Sequence, residues 1–274
     1  HGWHAVTESP SVDDAARLRE TFDQAAMDYD AARPGYPVAL VHDIVSMSGL
    51  APDAAILEVG CGTGQATAPF ARRGHPMVCL DIGPNLLAVA RANLGEYPNA
   101  RFVHAAFESW DSAGRRFSLA LSATAFHWIP PDVRHTKAAS VLAEGGHLAV
   151  VASHHPRPHT EFFARVQDVY RRVVREWDDP RNGPTDEERA MAAAAEMVEA
   201  GLFEEIEARR YRWTVDFTAE RYLRLLNTFS GHRALPDDVR QELFDGISRL
   251  IADEFGGAIL RPYLTVLCIG RKRA

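Results

Sequence analysis

The feature that most constrains this chain is the run Ile56-Leu57-Glu58-Val59-Gly60-Cys61-Gly62-Thr63-Gly64-Gln65. A short apolar stretch leads into three glycines at alternate positions, and a helical pattern follows over 65–73. Glycines at a strand-to-helix turn let the backbone approach a ligand without a Cβ clash. The first turn of the helix also offers N–H groups that the helix itself does not use. Taken alone, the triplet is equally compatible with a plain tight turn. Its spacing narrows the ligand. A dinucleotide fingerprint would need its third glycine where Gln65 stands, and a phosphate loop would need a G-K-[ST] end that is absent. Glu58, two positions before the first glycine, suits an ammonium group rather than a pyrophosphate. The run therefore points to a ligand with an α-amino acid end.

Strand and helix patterns alternate around this loop. Apolar runs at 55–59, 76–82, 101–107, 117–125 and 147–153 read as strands. Between them, 65–73, 85–94 and 132–143 read as helices, closed by Gly74, Gly95 and the pair Gly145-Gly146. Apolar strands between amphipathic helices imply a parallel sheet covered on both faces, and right-handed crossovers make it doubly wound. Upstream, 13–30 reads as a helix, with Leu18, Phe22, Ala25, Ala26 and Tyr29 at helical spacing. A second helix runs over 38–47, after the breaker Arg33-Pro34-Gly35-Tyr36-Pro37. Downstream the rhythm breaks at His154. Helices are expected at 159–178, 185–200 (opened by the capping box Thr185…Glu188), 222–229 and 239–255. A loop is expected at 179–184, and strands at 205–217 and 260–269.

Asp81 ends the second strand, 21 residues after Gly60. That distance resembles the acid that holds a ribose in nucleotide-binding units, where a carboxylate accepts from the hydroxyls. The alternative is an acid capping the helix that starts near Pro84. Ile82 is placed to lie against an adenine face, and Ala106 and Phe107, after the third strand, to meet its edge. For Phe107 and Trp110 core packing is the competing reading.

Glu-Val-Gly-Cys-Gly-Thr-Gly over 58–64, Asp81 and Ala106-Phe107 together resemble class I S-adenosylmethionine-dependent methyltransferases. The segments 22–30 and Arg33-Pro34-Gly35-Tyr36-Pro37, with 122–129 after strand four, resemble the trans-aconitate methyltransferase-like, or type 11, branch. The resemblance runs from about residue 20 onward. It implies an α/β, Rossmann-like doubly wound sheet of seven strands, mostly parallel with an antiparallel last strand. N-terminal lid helices would occupy 1–48, the binding core 49–153 and a helical cap 154–202. Residues 203–274 would complete the sheet, with further cap helices at 218–256. The cofactor implied is S-adenosylmethionine, with S-adenosylhomocysteine as product and no metal. Glu58, Gly60, Gly62 and Gly64 would surround the methionine portion, Asp81 the ribose, and Ala106 and Phe107 the adenine. Ser122 and Ala123 would offer backbone groups to the ammonium. Arg33 and Tyr36 would close from the lid, Arg33 meeting the cofactor carboxylate. Members of this branch methylate carboxylates, hydroxyls, amines and carbons, so the acceptor stays open.

Methyl transfer is an in-line displacement in which the protein aligns the acceptor, excludes water and, for a hydroxyl, removes a proton. His127, just past strand four, is the candidate base, or else a histidine that holds a loop. Trp128 is a candidate for substrate or sulfonium contact through its π face, or for the core. His154 could assist from the end of strand five; His154-His155 lacks the carboxylate partners of a metal site. Phe163 and Phe229 are candidate chamber residues, although aromatics at helical spacing more often pack a core. The groups Arg171, Arg172, Arg175 and Arg209, Arg210, Arg212 read as solvated faces or as a grip on a carboxylate substrate.

Bulk properties set the remaining expectations. With 30 basic against 37 acidic residues, the net charge of −7 does not favour a nucleic-acid partner. Cys61, Cys79 and Cys268 form no C-x-x-C or metal spacing, which suggests a reducing compartment. No apolar run reaches the roughly 18 residues of a membrane helix, and no basic-then-apolar leader is visible. The expectation is a cytoplasmic monomer or homodimer acting by O-methylation on a small molecule of secondary metabolism. An RNA methyltransferase and a non-methylating cofactor-binding relative are the alternatives.

Overall fold

A computed structural model of the chain describes residues 23, 26–157, 160–177 and 184–274, apart from the Ser230 side chain. The chain divides into two compact units. One holds Gly35–Ser153, Asp186–Tyr211 and Thr265–Ala274; the other holds His154–Thr185, Arg212–Leu264 and the residues up to Pro34.

The first unit is built on a seven-stranded sheet of order β3-β2-β1-β4-β5-β7-β6. Its strands are β1 (Ile56–Val59), β2 (Met77–Asp81), β3 (Ala100–His104), β4 (Phe117–Ala123), β5 (Leu142–His154), β6 (Phe203–Thr218) and β7 (Ala258–Lys272). The pairings β1–β2, β1–β4, β2–β3 and β4–β5 are parallel, and the last strands are antiparallel. The strand order reverses at β1, which lies between β2 and β4, so the carboxyl ends of these strands flank the switch point where α/β sheets bind ligands. Every residue of β1 and β2 is buried, as apolar strands covered on both faces must be. β6, at the sheet edge, alternates exposed and half-buried residues and carries a row of charges, which discourages pairing with another chain.

The helices of this unit are α2 (Val38–Met47), α3 (Thr67–Ala71), α4 (Pro84–Asn93), α5 (Pro131–Val141) and α7 (Asp186–Glu199). α4 starts with Pro84 in its first turn, where the missing N–H costs nothing. Helix α7 lies in the sheet unit, not with the cap segment 154–202 in which the sequence placed it: Met197 is 1% exposed beside Phe203 and Cys268.

The second unit contains α1 (Ala26–Ala32), α6 (Glu161–Val173), α8 (Ala219–Asn227), α9 (Ser230–Arg233) and α10 (Asp237–Glu254). α6 buries Phe162, Phe163, Val166, Val169 and Tyr170 on one face, the spacing of an amphipathic helix. A Cβ on Gly246 of α10 would stand 2.8 Å from Val169 Cγ1, so glycine is what lets these two helices approach. The β6 and β7 segments Arg212–Thr218 and Ala258–Leu264 also belong to this unit.

Two boundaries differ from the sequence reading. The pair Gly145-Gly146 does not close a helix. α5 stops at Val141 and β5 starts at Leu142, running through the glycines. Phe117 pairs with Leu142 but Leu119 with His147, so the pair sits in a bulge, with Gly145 at φ +69°. Strand four ends at Ala123, and Phe126–Trp128 forms one 3-10 turn. The helix expected at 13–30 is described at Asp23 and from Ala26 on; Leu18, Phe22 and Ala25 lie outside the described residues, as do 179–183 of the expected loop.

Candidate functional site

The glycine loop leaves β1 and is held by backbone bonds to its neighbour: Gly60 and Cys61 both donate to the Leu80 carbonyl, at 2.9 and 3.0 Å. Gly60, Gly62 and Gly64 have φ of +73°, +55° and +94°, the left-handed region that a side chain disfavours. A Cβ on Gly60 would stand 2.3 Å from Ala125 Cβ. The alternate glycines of the sequence thus have a steric cause, and the loop passes directly beside the end of β4.

Asp81, at the carboxyl end of β2, is buried. Its Oδ2 accepts from the Gly62 amide and its Oδ1 from the Gly83 amide, both at 2.8 Å. It therefore both ties down the glycine loop and serves the start of α4, since Gly83 is that helix's N-cap. The two uses weighed in the sequence are not exclusive, because a carboxylate accepts about four hydrogen bonds. Ile82 beside it is 36% exposed, as a residue offered to a ligand face must be, and its carbonyl is 2.9 Å from His104 Nε2.

Glu58 departs from expectation. Its side chain is 1% exposed and accepts from Thr67 Oγ1 at 2.6 Å, bracing the loop from beneath against α3. Burial, opposed by the Thr67 hydrogen bond and reinforced by the Asp81 charge, pushes its pKa up to about 8. At neutral pH Glu58 is thus mainly a neutral acid.

Ser122 Oγ donates to the Val59 carbonyl at 2.8 Å, linking β4 to the strand that carries the loop. Ser122 and Ala123 pair with Val150 and Val151 of β5. The next residue, Thr124, has φ +61°. A β-branched residue there is a true outlier, of the kind that persists at functional sites where the surroundings enforce it. Tyr36 Oη lies 3.0 Å from Thr124 Oγ1. Sequence reasoning named Tyr36 and missed Thr124, because nothing in the residue type announces a left-handed threonine.

His127 is exposed in the 3-10 turn after β4, its ring 4.9 Å from that of Trp128. Phe126 of the same turn is buried, edge-on to His135 at 5.2 Å. Ala106 is half-buried and its carbonyl accepts from the Trp110 amide. The Phe107 ring, 3% exposed, belongs to the core around Leu57, Val78 and Leu80; only the backbone of this residue is left to meet a base edge.

The remaining candidates stand in the helical unit. Arg33 Nε donates to Thr228 Oγ1 at 3.3 Å, and its guanidinium lies over the rings of Tyr29 and Phe229, at 4.4 and 5.1 Å. Phe163 is fully buried and packs edge-on against Phe162, 5.0 Å away, and against His155, so it is a core residue rather than a chamber wall. Phe229 is also buried in that core. His154 is the last residue of β5. The arginine groups read as a carboxylate grip are exposed, and four of their members are engaged there: Arg171 pairs with Asp168, Arg209 with Asp43, Arg210 with Glu187, and Arg212 donates to the Arg157 carbonyl. Among the described residues no cluster of three His, Cys, Asp or Glu could hold a metal ion, and no helix is long and apolar enough to cross a membrane.

Comparisons with known proteins agree with this geometry. Residues 56–146, which run from β1 through the glycine loop to the β5 bulge, match a family model described as a methyltransferase domain. An uncharacterised methyltransferase of Mycobacterium tuberculosis is 26% identical over 252 residues, covering 90% of this chain and 93% of its own. The malonyl-[acyl-carrier protein] O-methyltransferase of Geobacter sulfurreducens is 28% identical, covering 94% and 99%. A crystal structure of a methyltransferase from the same organism, bound to S-adenosylhomocysteine, shares the fold at a TM-score of 0.52. It is 16% identical and covers 88% of this chain and 93% of its own. The strand order and the glycine loop define a Rossmann-like methyltransferase fold. The matched methyltransferase domain and these relatives support a class I S-adenosylmethionine-dependent methyltransferase.

Proposed function

We propose that the protein transfers the methyl group of S-adenosylmethionine to an oxygen of a small acceptor, a carboxylate or hydroxyl. The observation that carries the cofactor part is the bond from Gly62 N–H to Asp81 Oδ2, which locks the loop of β1 to the acid of β2 in one rigid cradle. The residues fit the cofactor. The cradle is free of side chains where three positive-φ glycines stand, it carries a carboxylate for the ribose hydroxyls, and exposed Ile82 adjoins it.

S-adenosylmethionine supplies an already activated methyl on a sulfonium. Gly60, Gly62 and Gly64 give the methionine portion close backbone approach, Asp81 takes the ribose, Ile82 and the Ala106–Phe107 backbone flank the adenine, and Ser122 and Ala123 face the ammonium. Glu58 acts by bracing the loop. Arg33 and Tyr36 remain the lid contacts, and Tyr36 is anchored through Thr124. His127 is the proton acceptor when the acceptor is a hydroxyl, and Trp128 and His154 are the substrate contacts. The oxygen acceptor is favoured by the relative that is an O-methyltransferase and matches along almost its whole length. The reaction needs no metal, and the net charge of −7 favours a small molecule over RNA.

Calorimetry on the purified chain tests the cofactor: S-adenosylhomocysteine should bind in the micromolar range and NADH should not. Tight NADH binding without S-adenosylhomocysteine binding overturns the proposal. Incubation of methyl-labelled cofactor with panels of small acids, phenols and amines then tests the acceptor, and label found only on amines overturns O-methylation.

A further inference from the structure

The helical unit buries a cation that no acid among the described residues pairs with. Arg261 in β7 is 9% exposed, and neither its Nε nor its Nη1 has a hydrogen-bond partner. Arg165, Arg224 and Arg240 of the same unit each pair with a carboxylate; among the described residues Arg261 does not. Its Cζ lies 4.0 Å from the ring centroid of Tyr263, whose buried hydroxyl is within reach of that guanidinium and meets no other partner among the described residues. Tyr263 in turn stacks on Trp213, with centroids 4.8 Å apart. The charges of Arg261 and Arg33 both act on the Tyr263 phenol, opposing the rise that burial causes, and Arg261 acts likewise on Tyr222.

An arginine cannot shed its proton to escape burial. A buried charge without a counter-ion is strongly unfavourable, and natural interiors pair such charges. Here no carboxylate among the described residues pairs with the charge, and a guanidinium edge stands beside a buried phenol hydroxyl among aromatic rings. A guanidinium fork matches a planar carboxylate with two parallel hydrogen bonds, and the rings suit an apolar body.

We propose that Arg261, with the Tyr263 hydroxyl, binds the carboxylate of an acidic, apolar-bodied acceptor. This rests on the methyltransferase reading above and names the substrate class. It also relocates the carboxylate grip from the exposed arginine groups to a single buried residue.

The test uses the full chain and three probes: phenylacetate, its uncharged counterpart phenylacetamide, and inorganic phosphate, each titrated by calorimetry. Phenylacetate should bind the wild type at least tenfold more tightly than either other probe, and Arg261→Gln should lose that preference. S-adenosylhomocysteine binding should be the same in both proteins. The unliganded Arg261→Met variant should melt no lower than wild type, because an unpaired charge has been replaced by an apolar chain. Four results overturn the proposal: no phenylacetate binding to wild type, equal binding of phenylacetamide or phosphate, retention of the preference in Arg261→Gln, or a melting temperature several degrees lower in Arg261→Met. If wild type fails to bind S-adenosylhomocysteine, the functional reading itself has failed, which is a separate outcome.

Discussion

Asp81 Oδ2 holds the Gly62 amide at 2.8 Å, so the acid expected to bind the ribose is also the clasp of the glycine loop. Cofactor affinity and loop order are therefore coupled through one side chain. Asp81→Ala removes the acceptor of two backbone N–H groups as well as the ribose contact. Hydrogen bonds to charged groups contribute about 1.5–3 kcal/mol each. The expected outcome is a loss of about 10- to 150-fold in S-adenosylhomocysteine affinity together with a lower melting temperature. A variant that loses affinity and melts as wild type would show that the clasp contributes nothing to the fold.

Glu58 predicts an unusual pH dependence of stability. Its folded-state pKa of about 8 stands above the ordinary glutamate value of 4.5. Between these values the unfolded chain has released the proton that the folded chain retains, so stability falls as pH rises through the window. The contribution is complete below about pH 4.5 and lost above about pH 8, at roughly 1.4 kcal/mol per unit where the effect is full. Glu58→Gln keeps the Thr67 contact and cannot ionise. Urea unfolding from pH 5 to 8.5 should give this variant a flatter profile than wild type. Parallel profiles would show that Glu58 is ionised in the fold.

Phe163 is fully buried among aromatic rings, and its truncation should act on the fold. Phe163→Ala should cost about 3–5 kcal/mol, read as a lower urea midpoint with unchanged slope. An unchanged midpoint with weakened substrate binding would return Phe163 to the substrate chamber.

His127 is exposed one turn beyond β4. If the acceptor is a hydroxyl, His127→Ala should lower turnover about 10²–10⁴-fold with cofactor affinity intact. If it is a carboxylate, the acceptor is ionised at neutral pH and the loss should be small. The pH–rate profile separates the cases: a limb near pH 6.5 that vanishes in the variant assigns the base, and a flat profile in both proteins removes the role.

The sheet was legible in the sequence because its strands are short apolar runs punctuated by glycine and proline, and because the loop glycines occupy backbone conformations that other residues avoid. What escaped was set by contacts distant along the chain. Gly145-Gly146 looks like a helix stop, but β4 pairing turns it into a bulge. Glu58 looks like a ligand carboxylate, but Thr67, nine residues on, claims it. Phe107 follows the right strand, yet its ring turns into the core. Arg261 is a lone basic residue in an apolar strand, and only its folded surroundings make it conspicuous.

β7 lies between β5 and β6 in the sheet yet follows both in sequence. On the ribosome, β6 therefore emerges before any strand exists for it to pair with, and the free side of β5 waits as well. A chain broken off before Ala258 leaves one side of β5 and the whole of β6 unpaired, the arrangement that templates association with other chains. Stalled or truncated copies of this protein should thus be its aggregating species, whereas β7 covers the side of β5 and one side of β6 at once.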